Sequence, residues 1–286
     1  MSLQVYLKHA YKEVRLASES FISSVDGIDG ILQRERENLI LVYGGSFNPP
    51  HRGHLDVLLS VLRPEVSPIA IVVLPSENFH LRNKLIDSHP EFFLSRERRA
   101  NLWNAMPMIP KDKVWVWPST WYPFLPFTEA VVRLAKSDGF KVVFCHLIGP
   151  DNLNRLDPLM NLPYRLPRIL VSSRARHVPE HFTVGGCPKR WTNFGSWSRA
   201  DRTCGVTEAN EQDPAVLWSC YGLSDSKGDS DGTEKMGYYL EFETSYATDI
   251  NSTALRGDLL RTSGLTEQRL NTMSTEDLMK LIMPFF

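Results

Sequence analysis

An α/β fold, a doubly wound parallel sheet with helices on both faces, is predicted from three observations. Short apolar runs rich in Val and Ile recur at Leu39–Tyr43, Ile69–Leu74, Val114–Trp117, Val142–Ile148 and Ile169–Val171. Runs that are continuously apolar, not alternating, mark strands buried on both faces. The intervals hold helix-like segments at Leu55–Leu62, Arg96–Met106 and Thr128–Lys136, and strands alternating with helices build parallel βαβ units. Finally, the 286 residues are 42% hydrophobic and 23% charged. That is an ordinary globular composition, and a chain of this length buries about 75% of its unfolded surface without a disulfide or metal staple.

Along the chain, Leu7, Ala10, Tyr11, Val14 and Phe21 give helical spacing between Gln4 and about Phe21. A Gly/Asp stretch from Asp26 to Gly30 follows. Residues 1–38 are therefore expected to form a helical extension, and 39–286 the main domain. The rhythm breaks from about 175 to 236, where Gly, Ser, Asp and Thr dominate without period. This reads as a long insertion, partly ordered by Trp191, Trp197 and Trp218. Tyr238–Phe242 reads as the last strand, and Ala254–Leu260 and Glu276–Ile282 as closing helices.

Composition excludes several classes. A net charge of −1 removes the strongly basic domain expected of a nucleic-acid binder. Charge is nonetheless polarised, +6 over Asn161–Arg202 and −8 over Gly205–Asp249. Two solvated faces are the ordinary account, and a positive rim for anionic substrates is the functional one. The N-terminus lacks a signal-peptide pattern, and no apolar run approaches the ~20 residues that span a bilayer. A soluble cytoplasmic or nuclear protein with no membrane or nucleic-acid partner is expected. Cys145, Cys187, Cys204 and Cys220 form no C-x-x-C, which fits a reducing compartment and leaves a zinc module from Cys187, Cys204, Cys220 and His177 or His181 without paired spacing. No P-loop sequence occurs.

The chemistry lies directly after the first strand, in Gly44-Gly45-Ser46-Phe47-Asn48-Pro49-Pro50-His51-Arg52-Gly53-His54. Glycines at a strand end let backbone N–H groups approach a ligand, and the following helix offers its positive N-terminus to an anion. The prolines fix the turn that holds His51 and His54 near one spot. Imidazole N–H groups, charged or neutral, suit charge growing on phosphate oxygens in a transition state.

These residues resemble the G-x-F-x-P-x-H-x-G-H signature of the H-x-G-H nucleotidyltransferase superfamily. At ordinary residue frequencies a chance match is on the order of 10⁻⁸ per starting point. Asp249-Ile250-Asn251-Ser252-Thr253-Ala254-Leu255-Arg256 is similar to the superfamily's closing I-S-S-T-x-I-R, with Asn251 replacing its first serine. Leu147-Ile148-Gly149-Pro150-Asp151-Asn152-Leu153 resembles the G-A-D-x-L element of nicotinamide and nicotinate mononucleotide adenylyltransferases, with Pro150 in place of the small residue.

The resemblance implies roles residue by residue. His51, His54 and Arg256 would be catalytic. Gly45, Ser46, Phe47, Gly149, Asp151, Ser252 and Thr253 would bind nucleotide. Lys84, Trp121 and Arg174 would bind the acceptor, with the indole of Trp121 stacking on a pyridine ring. Arg99, in Arg99-Ala100-Asn101-Leu102, matches an R-x-x-M/L element but reads more readily as a surface cation. The second stacking tryptophan of pyridine-specific members has no counterpart; Tyr164 is the nearest aromatic. The implied fold is Rossmann-like. The implied reaction moves AMP from ATP to the 5′-phosphate of nicotinamide mononucleotide, giving NAD and pyrophosphate. Mg²⁺ would be held by the triphosphate, and no protein metal ligand is assigned. The alternatives are nicotinate mononucleotide as acceptor, a phosphopantetheine or cytidylyl enzyme of the same superfamily, and a nucleotide-binding protein without turnover.

Overall fold

The computed structural model describes residues 1–16, 23–87, 91–149, 166–174, 181–183, 186–192, 194–199, 215–223, 235–242, 252–264 and 266–286. The chain divides into two units. The first is Met1–Leu55, Ile69–Val143 and Thr248–Phe286; the second is Asp56–Pro68 and Phe144–Ala247.

In the first unit, β1 (Glu37–Gly45) pairs in parallel with β2 (Ala70–Pro75), Ile40 facing Ala70 and Gly45 facing Pro75. Strand β2 pairs in parallel with β3 (Val114–Val116). Every residue of β2 is buried, which is why its sequence is apolar throughout. Helix α1 (Leu3–Glu13) buries Leu3, Tyr6, Leu7, Ala10 and Tyr11, a stripe at the helical period. It packs on α5 (Phe124–Ser137). There the Tyr11 ring lies 5.4 Å from Trp117, stacked, and 4.7 Å from Phe127. The predicted helix was longer, to about Phe21. The described part ends at Glu13, and Arg15 takes a positive φ of 61°, a left-handed turn that stops a helix; residues 17–21 lie outside the described set.

Between β2 and β3 stand α3 (Asn78–Leu85) and α4 (Arg96–Ala105), the latter packed on β2 and β3. Ser95 caps α4 by accepting the Arg98 N–H. After the last strand come α6 (Ser252–Ser263), α7 (Glu267–Thr272) and α8 (Thr275–Ile282), and α8 packs on α4.

In the second unit, β5 (Arg168–Ser172) pairs in parallel with residues Cys145–Ile148 of β4 (Lys141–Ile148) and with β8 (Met236–Phe242). The stretch read as an aperiodic insertion contains two further strands. These are β7 (Ala215–Tyr221), antiparallel to β8, and the short β6 (Ser198–Arg199), antiparallel to β7. Trp191 and Phe194 are buried with Ile148, Ile169, Val171, Cys220 and Tyr239, and Trp197 and Trp218 pack against them. Gly237 is required here: a Cβ on it would stand 2.6 Å from the Trp191 ring.

The chain is thus α/β with mostly parallel strands flanked by helices, in keeping with the predicted Rossmann-like class. Among the described residues, no helix is long and apolar enough to cross a membrane.

Candidate active site

The motif of the first unit is a strand–turn–helix. Strand β1 ends at Gly45, the turn runs through Pro50, and α2 (Arg52–Ser60) follows. Gly45 and Phe47 depend on one another. Phe47 sits at φ 49° and is buried, with its ring about 5 Å from Tyr43, Trp103 and His54, edge to face. A Cβ on Gly45 would lie 2.7 Å from that ring. The glycine therefore makes room for the phenylalanine, and the phenylalanine in turn supports the edge of His54.

Asn48 pins the turn. Its amide donates to the Phe92 carbonyl (2.7 Å) and accepts the Leu94 N–H (2.9 Å). Its own carbonyl accepts a hydrogen bond from Arg256 Nη1 (3.1 Å). The carbonyl of His51 accepts from the N–H groups of His54 and Leu55, starting α2. The two imidazoles face each other at 3.8 Å between centroids, tilted by 34°.

Protonation follows from this geometry. Burial, then the neighbouring Arg256, pushes His51 down to about 4. His54 falls well below its ordinary value through burial, then His51, then Lys84. Two imidazoles in ring contact beside a guanidinium cannot both be charged. Near pH 7 the site is therefore built from neutral imidazoles. His51 Nδ1 accepts the Gly53 N–H at 3.2 Å, so the proton of neutral His51 resides on Nε2. His54 keeps an exposed edge, while its Nδ1 is buried without a hydrogen-bond partner. Arg256, on α6, is buried; its Nη2 donates to Thr253 Oγ1 (3.0 Å), and its Nε is likewise unpartnered. A buried cation with an unpartnered Nε, beside an imidazole with an unpartnered Nδ1, favours an anionic ligand bearing several oxygens.

Most of the candidates in this unit converge. Gly45, Ser46, Phe47, His51, His54, Thr253 and Arg256 form one cluster through these contacts. Lys84 lies exposed on the last turn of α3, close enough for its charge to be felt at His54. Trp121, after β3, is half-buried, unlike the fully packed Trp103, Trp115 and Trp117. Its ring stacks on the exposed Tyr122 at 4.4 Å. Gly149 and Arg174 belong to the second unit. There Gly149 follows β4, and the Arg174 guanidinium lies 4.8 Å over the Phe242 ring. Asp151 and the side chain of Ser252 lie outside the described residues, as do Tyr164, Cys204 and His177. No cluster of metal-ligating side chains occurs among the described residues.

Arg99 is the residue whose surface reading fails. It is fully buried. It donates to the carbonyls of Ser46 (2.7 Å), Ser76 (2.7 Å) and Leu94 (3.0 Å). It thereby ties the motif turn to the end of β2 and the start of α4. Burial, then Arg96, lowers it to about 10. Asn48, Glu77 and Arg96 are further residues whose roles the sequence left unassigned. Asn48 lies within the motif, whereas Glu77 and Arg96 carried no signal in the sequence.

Residues 42–162 match the cytidylyltransferase-like family model. Among solved structures, the chain is similar to the nicotinic acid mononucleotide adenylyltransferase of Plasmodium falciparum complexed with APC. That alignment covers 47% of this chain and 63% of that one, at 16% identity and a TM-score of 0.32. The same enzyme complexed with NaAD aligns over 47% and 64%, at 17% identity and a TM-score of 0.31. The chain spans roughly three fifths of the length of these structures. No curated protein matches it.

Proposed function

We propose that this protein is an adenylyltransferase that joins AMP from ATP to the 5′-phosphate of nicotinamide mononucleotide. An oxygen of the acceptor phosphate attacks the α-phosphorus in line. The bond from the α-phosphorus to its bridging oxygen breaks, and pyrophosphate leaves with that oxygen. The acceptor is already ionised at neutral pH, so no protein nucleophile or general base is needed. The work is positioning and charge stabilisation.

The observation that carries the reading is the ring contact of His51 and His54 beside buried Arg256 at the start of α2. Neutral imidazole N–H groups and the helix N-terminus donate to phosphate oxygens without repelling one another. Arg256 supplies fixed positive charge, and Lys84 adds a cation on the exposed side. Mg²⁺ enters as part of the MgATP substrate, held by phosphate oxygens and water. The half-buried Trp121 supports a flat, electron-poor ring as the acceptor's far end, since stacking of this kind stabilises by about 0.5–2 kcal/mol.

Purified protein with ATP, Mg²⁺ and nicotinamide mononucleotide should form NAD, read continuously by a coupled dehydrogenase. Nicotinate mononucleotide run in parallel separates the amide from the acid as acceptor. Product from phosphopantetheine alone would keep the chemistry and replace the substrate. ATP binding with no product from any acceptor would make the protein a binder without turnover.

A further inference from the structure

Pro118 to Trp121 join β3 to α5 without regular secondary structure, yet the backbone around them is tied down by side chains. Arg96 is buried, and its guanidinium spans three successive carbonyls: Ser119 at 2.6 Å, Pro118 at 2.9 Å and Trp117 at 3.4 Å. The next carbonyl, Thr120, accepts the indole N–H of Trp117 at 2.7 Å. The next N–H, that of Trp121 itself, donates to the Glu77 carboxylate at 2.9 Å. Every carbonyl from 117 to 120 thus has a side-chain donor, and residue 121 has a carboxylate acceptor. Arg96 and Glu77 also attract one another, since the carboxylate opposes the loss of proton affinity that burial imposes on Arg96. A loop held at five successive backbone groups is far more constrained than a connection of this length requires. The residue at its end, Trp121, keeps its ring half-exposed while its backbone is fixed.

We propose that Arg96 and Glu77 are positioning residues, which fix the backbone of Trp121 so that its indole is presented in one pose to the acceptor. This rests on the reading of Trp121 as the stacking platform of a pyridine mononucleotide. Neither residue touches the substrate. Pre-ordering the platform removes the conformational cost that each binding event would otherwise bear, so their contribution appears in acceptor affinity and not in the phosphate chemistry.

The test uses the full chain labelled with 5-fluorotryptophan, the Trp121 line being assigned by Trp121→Phe. In Glu77→Leu the Trp121 fluorine line should shift or broaden, and the KM for the mononucleotide should rise roughly tenfold, the size of one lost aromatic stacking contact. The KM for ATP should stay within about twofold, since the phosphate site is untouched. Glu77→Gln keeps an oxygen for the Trp121 N–H and should restore both readouts. If Glu77→Leu does not fold, Arg96→Lys, which keeps the charge and loses the fork, should move the same line and the same KM. An unmoved fluorine line, an unmoved acceptor KM, or equal losses for both substrates would overturn the proposal. A wild-type protein that makes no dinucleotide from either mononucleotide overturns the functional reading instead. The fluorine line then decides alone whether the clamp holds Trp121.

Discussion

His51 gives the structure a pH signature that can be worked out in advance. In the folded chain its pKa is pushed down to about 4 by burial and Arg256, whereas in the unfolded chain it titrates near 6.5. The unfolded state therefore takes up the proton first. Stability from this group is intact above about pH 6.5 and is lost as the pH falls toward 4. With those two values the loss at pH 4.5 relative to pH 7.5 is about 2.5 kcal/mol. Because His51 also depresses His54, urea denaturation of His54→Gln and of the double variant His51→Gln/His54→Gln at the two pH values isolates it. Gln does not titrate, and the other histidines are common to both proteins. Whatever gap separates them at pH 7.5 should close by about 2.5 kcal/mol at pH 4.5, in the direction that favours the double variant. Parallel losses in the two proteins would mean that His51 takes up its proton in the folded state as readily as in the unfolded one. The argument for neutral imidazoles would then collapse.

Two further outcomes test the site. His54→Ala should lower kcat by about 10²–10³ with the fold intact by circular dichroism, as for loss of one transition-state donor; near-full turnover would remove His54 from the mechanism. Gly45→Ala sets a methyl group against the Phe47 ring and should cost about 1–3 kcal/mol in urea denaturation, together with turnover, because Phe47 supports His54; an unchanged midpoint would mean that the ring is free to move.

The strands were legible because burial on both faces leaves an uninterrupted apolar run, as in Ala70–Pro75. Helix Asn78–Leu85 was not, since only Leu81 and Leu85 of its eight residues are buried, too few for a stripe. Strand Ala215–Tyr221 was hidden by the polar sequence around it, and it is recognisable only by its pairing with Met236–Phe242. Within the candidate site, the histidine pair and Arg256 were legible because nearby motif residues carry them. Arg96 and Arg99 were not. In Arg96-Glu97-Arg98-Arg99 charge reads as solvated, and burial becomes intelligible only when carbonyls from distant segments converge on each guanidinium. Trp121 was singled out by the resemblance, and what the structure adds is its half-burial against the full burial of Trp115 and Trp117.

These observations share one logic. The scaffold spends two buried guanidinium groups, Arg96 and Arg99, on backbone carbonyls, and keeps its imidazoles neutral. Among the described residues, fixed charge at the motif comes mainly from Arg256, with Lys84 alongside. In the proposed transfer, the triphosphate and the acceptor phosphate would meet neutral donors as well as these fixed cations. Each arriving anion raises the proton affinity of the imidazoles, which burial depresses in both and Arg256 also in His51, while their neutral N–H groups donate to it. A site already fully charged would hold pyrophosphate tightly and slow its departure. His51 and His54 are coupled through their ring contact, so a proton on either ring discourages a proton on the other.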